Sequence, residues 1–195
     1  MTTEETIDPY AEARMTVLEH LSELRVRVIY AFIAVFVGFC ISWMFREQLF
    51  DFLMQPRKAA NVDSALTEMH HKDLAEPFFA LLKASIFGGV FLAAPALLYQ
   101  VWAFIAPALY PEEKRFAVPF VFFATLFFVV GSGFCYYVVM PFGFEFLLGF
   151  TEVSTPELMM NEYLALTTKL LLGFGFIFEL PVFTAFLAQL GIINH

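Results

Sequence analysis

Glu179 is the most anomalous reactive side chain in this sequence: a lone carboxyl inside Leu170–Leu190, a run of 21 residues otherwise free of charge. An ionisable group in such a setting is costly, so it faces protein or water and often carries function; the bland alternative is a carboxyl hydrogen-bonded to a neighbouring helix. Two further acids sit at the edges of apolar runs. Glu23, followed by Arg25 and Arg27, lies ahead of Val28–Phe45, and Glu113 lies ahead of Phe116–Met140. Carboxylates are the natural receptors for arginine, because the planar guanidinium fork donates two parallel hydrogen bonds to one carboxylate. Both acids also have a local reading: Glu23 can pair with Arg27 four residues on, and Pro111-Glu112-Glu113 has the form of a helix start. Spacing alone leaves both readings open. Cys40 and Cys135 lie in apolar runs without ligand or disulfide spacing and read as packing residues. The adjacent His70 and His71 read as solvated loop residues. No metal-ligand pair lies within a run and no base stands beside a nucleophile, so no enzyme, metal or cofactor is expected.

The elements that must position these groups are set by composition. Of the 195 residues, 60% are hydrophobic and 15% charged, with mean hydropathy +0.73. One small core cannot bury that surplus, so much of it faces lipid. The net charge of −8 argues against nucleic acid as a partner. Four runs are long enough, at 18 to 25 residues, to cross a bilayer as helices: 28–45, 84–104, 116–140 and 170–190. The expected order is therefore a tail at 1–27, an outer loop at 46–83, an inner turn at 105–115, a second outer loop at 141–169 and a short inner end at 191–195. The tail lacks the apolar run of a cleavable signal peptide. Arg14, Arg25, Arg27, Lys114 and Arg115 give the tail and turn a slightly higher density of basic residues than the opposite side, which favours a cytoplasmic N-terminus. Pro95, Pro119 and Pro181 predict bent spans. Gly88–Gly89, Gly131/Gly133 and Gly173/Gly175 mark places for close helix approach. Phe50, Phe52 and Leu53 are expected to anchor the first outer loop at the interface, and Phe142–Phe150 to form a short interfacial helix. Lys83 and Lys169, near span ends, are expected to snorkel. The fold class is all-α: a polytopic membrane protein with kinked helices in a curved, concave arrangement.

Three segments resemble the TatC family, the receptor subunit of the twin-arginine protein translocase. His20-Leu21-Ser22-Glu23-Leu24-Arg25-Val26-Arg27 is similar to the family's H-L-x-E-L-R-x-R. Tyr99-Gln100-Val101-Trp102-Ala103-Phe104-Ile105-Ala106-Pro107-Ala108-Leu109, closing on Glu113-Lys114-Arg115, is similar to its Y-Q-x-W-x-F-x-x-P-A-L and E-x-R. Phe178-Glu179-Leu180-Pro181 resembles its F-E-x-P. Glu76, Phe78 and Lys83 fit the family's start of the second span, and Pro56 a proline of its first outer loop. The resemblance runs from Leu18 to the end of the chain. The family usually has six spans, so this chain resembles its N-terminal two-thirds.

The resemblance implies a protein-transport function in the bacterial inner membrane, with a cytoplasmic N-terminus. It implies binding of the twin-arginine signal peptides of folded precursors, export driven by the proton gradient, and partnership with TatA-like and TatB-like single-span subunits, other copies of the chain and membrane lipid. It names Glu23 and Glu113 as arginine contacts, with Arg25, Phe104, Pro107 and Leu109 beside them, and Glu179 as a polar docking site for partner helices. The alternatives are a fragment of a proton-coupled small-solute transporter, with Glu179 as its proton site, and a non-functional truncated translocase subunit that inserts without exporting.

Overall fold

A computed structural model describes residues 17–59, 75–105, 117–148 and 160–189. Every described element is helical: α1 (Val17–Met44), α2 (Arg46–Ala59), α3 (Glu76–Ile105), α4 (Ala117–Phe134), a π-helical turn (Cys135–Val139), α5 (Met140–Leu148) and α6 (Met160–Gln189). Four stretches are long and apolar enough to cross a membrane: His20–Met44, Glu76–Ile105, Val118–Phe146 and Met160–Ala188. The 30 residues of α3 and of α6 make rods of about 45 Å at 1.5 Å per residue, well beyond a hydrocarbon core of about 30 Å. Each is therefore long enough to extend beyond the lipid, and each carries an acid in its first turn, Glu76 and Glu162.

The helices form an open, curved arrangement in place of a closed bundle. α1 packs along α3, α4 packs along α6, and α3 joins the two pairs. Burial follows this order: the apolar stretch of α3 is the most buried of the four and that of α1 the least. α3 is thus the central helix, and α1 presents most of its apolar surface to lipid, as Phe32 and Phe36 do. Between polar water and apolar lipid, such exposure carries no penalty.

Glycines set both close crossings. A Cβ on Gly38 would run into the carbonyl of Gly89, and one on Gly89 would meet the Phe39 amide nitrogen at 2.6 Å. Across the other seam, a Cβ on Gly131 would meet Phe178 Cβ at 2.6 Å. Gly88 and Gly175 are equally confined, whereas Gly133 and Gly173 have open space around them. Gly38, not singled out by sequence, belongs to the first crossing.

The prolines act differently from expectation at two places. Pro119 falls in the first turn of α4, where a helix has no hydrogen bond to lose, so it bends nothing. The third span is distorted instead at Cys135–Val139, where the Met140 amide donates to the Cys135 carbonyl five residues back. Pro141 follows at once and cannot donate, and the wider π turn is a known way to absorb such a break. Pro95 and Pro181 lie inside α3 and α6 as expected.

Of the three residues expected to anchor the first outer loop at the interface, Leu53 and Phe50 turn inward and Phe52 keeps an exposed face. α2 folds against the end of the spans: Leu53 is completely buried and Phe50 half-buried, while Phe52 stacks on Tyr136 at 4.4 Å. Pro56 explains why. Having no N–H, it leaves the Phe52 carbonyl without its helical donor, and the Tyr136 hydroxyl donates to that carbonyl at 2.6 Å. Tyr163 donates to the Leu53 carbonyl at 3.0 Å. An apolar core of Leu53, Met140, Leu164 and their neighbours forms around these bonds. The short helix expected over Phe142–Phe150 is present as α5, Met140–Leu148, which follows the π turn without a break; Phe144 stacks on Tyr163 at 5.2 Å, and residues 149–150 lie outside the described residues.

Candidate functional site

The N-terminal end of α1 and the C-terminal end of α3 meet, and this brings the first two signature segments together. The His20 ring stacks on Phe104 with centroids 4.4 Å apart. One turn of α3 earlier, Gln100 Oε1 accepts a hydrogen bond from Arg27 Nη1 at 3.5 Å. The spacing is what a helix dictates: Gln100 and Phe104, four apart, share the face turned to α1. Leu98 and Trp102 share another face and join Phe120 and Phe186 in a second apolar cluster. The Trp102 indole meets the Phe186 ring edge-on at 4.6 Å. The aromatic motif is therefore a two-sided plug between α1 and the α4–α6 pair.

Glu23 sits on this seam. Its Oε1 accepts a hydrogen bond from Arg27 Nη2 at 3.0 Å, the local i,i+4 pairing open to it from sequence. The two side chains retain 16% and 28% of their exposure, so the pair is partly desolvated. It is also incomplete: Glu23 Oε2 and Arg27 Nε are both buried with no hydrogen-bond partner among the described residues. Arg25 points outward and is exposed. Glu113, Pro107 and Leu109 lie outside the described residues, so the convergence of Glu113 with Glu23 stays an expectation. Beside this seam, a cavity of about 560 Å³ opens between α3 and α4, lined by Pro95, Tyr99, Val118 and Phe122 among others. His20 and Gln100 are the members that residue-type reasoning passed over. Both stand in the quoted motifs, but neither is charged, so neither drew attention.

Glu179 is buried in α6 at 2% exposure; its carboxyl lies against the Phe128 backbone of α4, but neither oxygen has a hydrogen bond of good geometry among the described residues. It sits in the tight α4–α6 seam, between the close approaches at Gly131 and the packing of Phe178, with Pro181 two residues on and itself exposed.

The remaining motif residues gather at the opposite end of the molecule. Glu76, in the first turn of α3, is buried at 5% exposure and accepts a hydrogen bond from the Asn161 amide at 3.2 Å. Asn161 is the second residue of α6, so Glu76 caps a helix start belonging to another element. Lys83 Nζ donates to Asn161 Oδ1 at 2.9 Å. Phe78 meets Trp43 edge-on at 6.2 Å, and the Arg46 guanidinium lies over the same indole at 5.3 Å. Arg46 Nη1 also donates to the Trp43 carbonyl at 3.4 Å, closing the end of α1. Among the described residues no cluster of His, Cys, Asp or Glu has the form of a metal site.

Four long apolar helices in an open arrangement, with a polar seam at one end and a buried acid in the fourth span, define a polytopic α-helical membrane protein. Residues 19–195 match the family described as Sec-independent protein translocase protein (TatC), and the chain belongs to that family. It is 45% identical to the TatC protein of Desulforapulum autotrophicum over 184 residues, covering 94% of this chain and 67% of that relative. Against the TatC protein of Koribacter versatilis the identity is 39%, over 97% of this chain and 73% of the relative. A crystal structure of the twin arginine translocase receptor TatC superposes with TM-score 0.80 at 37% identity, covering 90% of this chain and 77% of that one.

Proposed function

We propose that this chain is the receptor of a twin-arginine translocase, recognising the paired arginines of signal peptides with Glu23, near the N-terminal end of α1, together with Glu113. The observation that carries the reading is the meeting of the two signature segments, with Glu23 half-satisfied on the seam between them. A carboxylate with a free, desolvated oxygen suits a bidentate guanidinium, and arginine is the side chain that presents one. Arg25, Phe104, Pro107 and Leu109 surround the peptide in this reading. The apolar groove at Pro95 and Tyr99 accommodates the hydrophobic stretch that follows the arginines.

Loss of one partner from a semi-buried arginine pair weakens binding by about 2–5 kcal/mol, against about 0.2–1 kcal/mol for an exposed pair. The test is affinity or crosslinking of twin-arginine and twin-lysine peptides to Glu23→Ala, Glu113→Ala and, as a control, Glu112→Ala, which points about 100° from Glu113 on a helix. Equal binding by all three variants places recognition elsewhere. Glu179 docks the helices of TatA-like and TatB-like subunits. The chain lies in the inner membrane with its N-terminus cytoplasmic, so a cysteine at Thr6 is labelled from inside and one at Ser154 from outside; the reverse pattern overturns the orientation.

A further inference from the structure

We infer that Arg27 is a built-in guanidinium that occupies Glu23 in the free protein, so that a peptide arginine binds by exchanging places with it while Gln100 receives the displaced group. The inference rests on the reading of Glu23 as an arginine receptor and deepens it. Three observations carry it. Arg27 already supplies Glu23 with the chemistry of the ligand, at 3.0 Å. The fit is poor for a resident pair, since one carboxylate oxygen and the guanidinium Nε are buried and unpaired, whereas a bidentate fork would satisfy both sides. A second acceptor, Gln100 Oε1, already lies 3.5 Å from Arg27 Nη1 on the neighbouring helix, so the guanidinium need only turn toward α3 to leave Glu23 without losing every partner. The Glu23 oxygen that Arg27 leaves unpaired is buried, so an arriving arginine that takes both oxygens must also take the one Arg27 holds.

Exchange has a consequence that distinguishes it from simple support of the site. A resident competitor lowers the affinity for every basic ligand by one common factor and leaves the arginine-to-lysine preference to Glu23. Arg27 thus sets the threshold of affinity, not the identity of the ligand. Arg27→Gln is expected to tighten binding of a synthetic twin-arginine signal peptide to the solubilised full chain by about two- to fivefold, the range of a partly exposed ion pair. A twin-lysine peptide is expected to gain by the same factor. Arg27→Lys, which keeps the charge but loses the fork, is expected to gain less and guards against misfolding of the neutral variant.

Removing a positive charge also relieves repulsion of a basic peptide, and a Glu23→Gln background separates the two causes. Under exchange, the gain from Arg27→Gln disappears in that background; a gain that persists there assigns the effect to repulsion and overturns the inference. Weaker or unchanged binding by Arg27→Gln and Arg27→Lys, with Glu23→Gln weakening the parent, also overturns it, by making Arg27 a support for Glu23, and leaves the receptor reading intact. Unchanged binding by Glu23→Gln alone defeats both.

Discussion

Glu76 and Glu179 are equally buried carboxyls, at 5% and 2% exposure, in opposite circumstances. Glu76 stands at the start of α3 and closes the start of α6 through the Asn161 amide. Glu179 stands in the middle of α6 with only the Phe128 backbone beside its carboxyl and no well-formed hydrogen bond on either oxygen among the described residues. A buried polar group normally has its partner, and one without a partner calls for an explanation. The difference separates an acid that builds the fold from one that the fold leaves poorly satisfied, which is the state the proposed docking of a partner helix would relieve. Burial alone would have ranked the two together.

The sharpest way to break this contrast is to remove the satisfied acid. Glu76→Ala leaves the Asn161 amide uncapped in a part-buried site and is expected to destabilise the protein by about 1–3 kcal/mol, read as a loss in thermal unfolding in detergent. Glu76→Gln retains an acceptor and should recover part of that loss. A variant as stable as the parent would show that the α6 start needs no cap from α3.

Replacing the unsatisfied acid should have the opposite sign. Glu179→Leu removes a buried carboxyl that gives nothing back, so the isolated chain is expected to hold its stability or gain about 1–2 kcal/mol. Crosslinking to TatA-like and TatB-like helices, in contrast, is expected to fall. A stability loss comparable to that of Glu76→Ala would mean that Glu179 is bonded within the fold, and the docking role would lose its basis.

This contrast was only partly legible in sequence. The four spans were, because lipid demands long uncharged runs and nothing else in a chain produces them. Glu179 was, because it interrupts such a run. The helix starts were not legible from hydropathy: α1, α3 and α6 begin at Val17, Glu76 and Met160, ahead of the uncharged runs, and only Glu76 was marked, by the resemblance. What holds those turns is tertiary, as with Glu76 and Asn161, 85 positions apart. α2 was hidden for the same reason, since Pro56 argues locally against a helix while Tyr136 compensates from another span. At the polar seam, the Glu23–Arg27 pair followed from i,i+4 spacing, but its link to Gln100 required knowing that α1 lies against α3.

That compensation offers a smaller test on the same end of the molecule as Glu76. Tyr136→Phe keeps the stacking on Phe52 and removes only the hydroxyl that serves the carbonyl freed by Pro56. The expected cost is about 0.5–1.5 kcal/mol in thermal unfolding. If Pro56→Ala restores the helical donor, Tyr136→Phe should cost less in that background; equal costs in both would show that the hydroxyl answers some need other than the proline.

The smallest expected effect belongs to Lys83, and it decides how much of the clasp at Asn161 is Glu76 alone. Lys83 is exposed, and among the described residues its ammonium bonds the Asn161 side-chain oxygen at 2.9 Å. Glu76 uses the Asn161 backbone, so the two contacts are independent of each other chemically although they share a residue. An exposed long side chain loses rotamer freedom to hold such a bond, which leaves a net gain of about 0.2–1 kcal/mol. Lys83→Met and Asn161→Ala each delete this bond and spare the backbone cap. They are expected to cost the same small amount singly and no more together, since one bond cannot be lost twice. Additive losses would show that Lys83 and Asn161 each serve another partner. A loss from Lys83→Met as large as that from Glu76→Ala would move the weight of the clasp from the buried carboxylate to the ammonium, and with it the assignment of Glu76 as the acid that builds the fold.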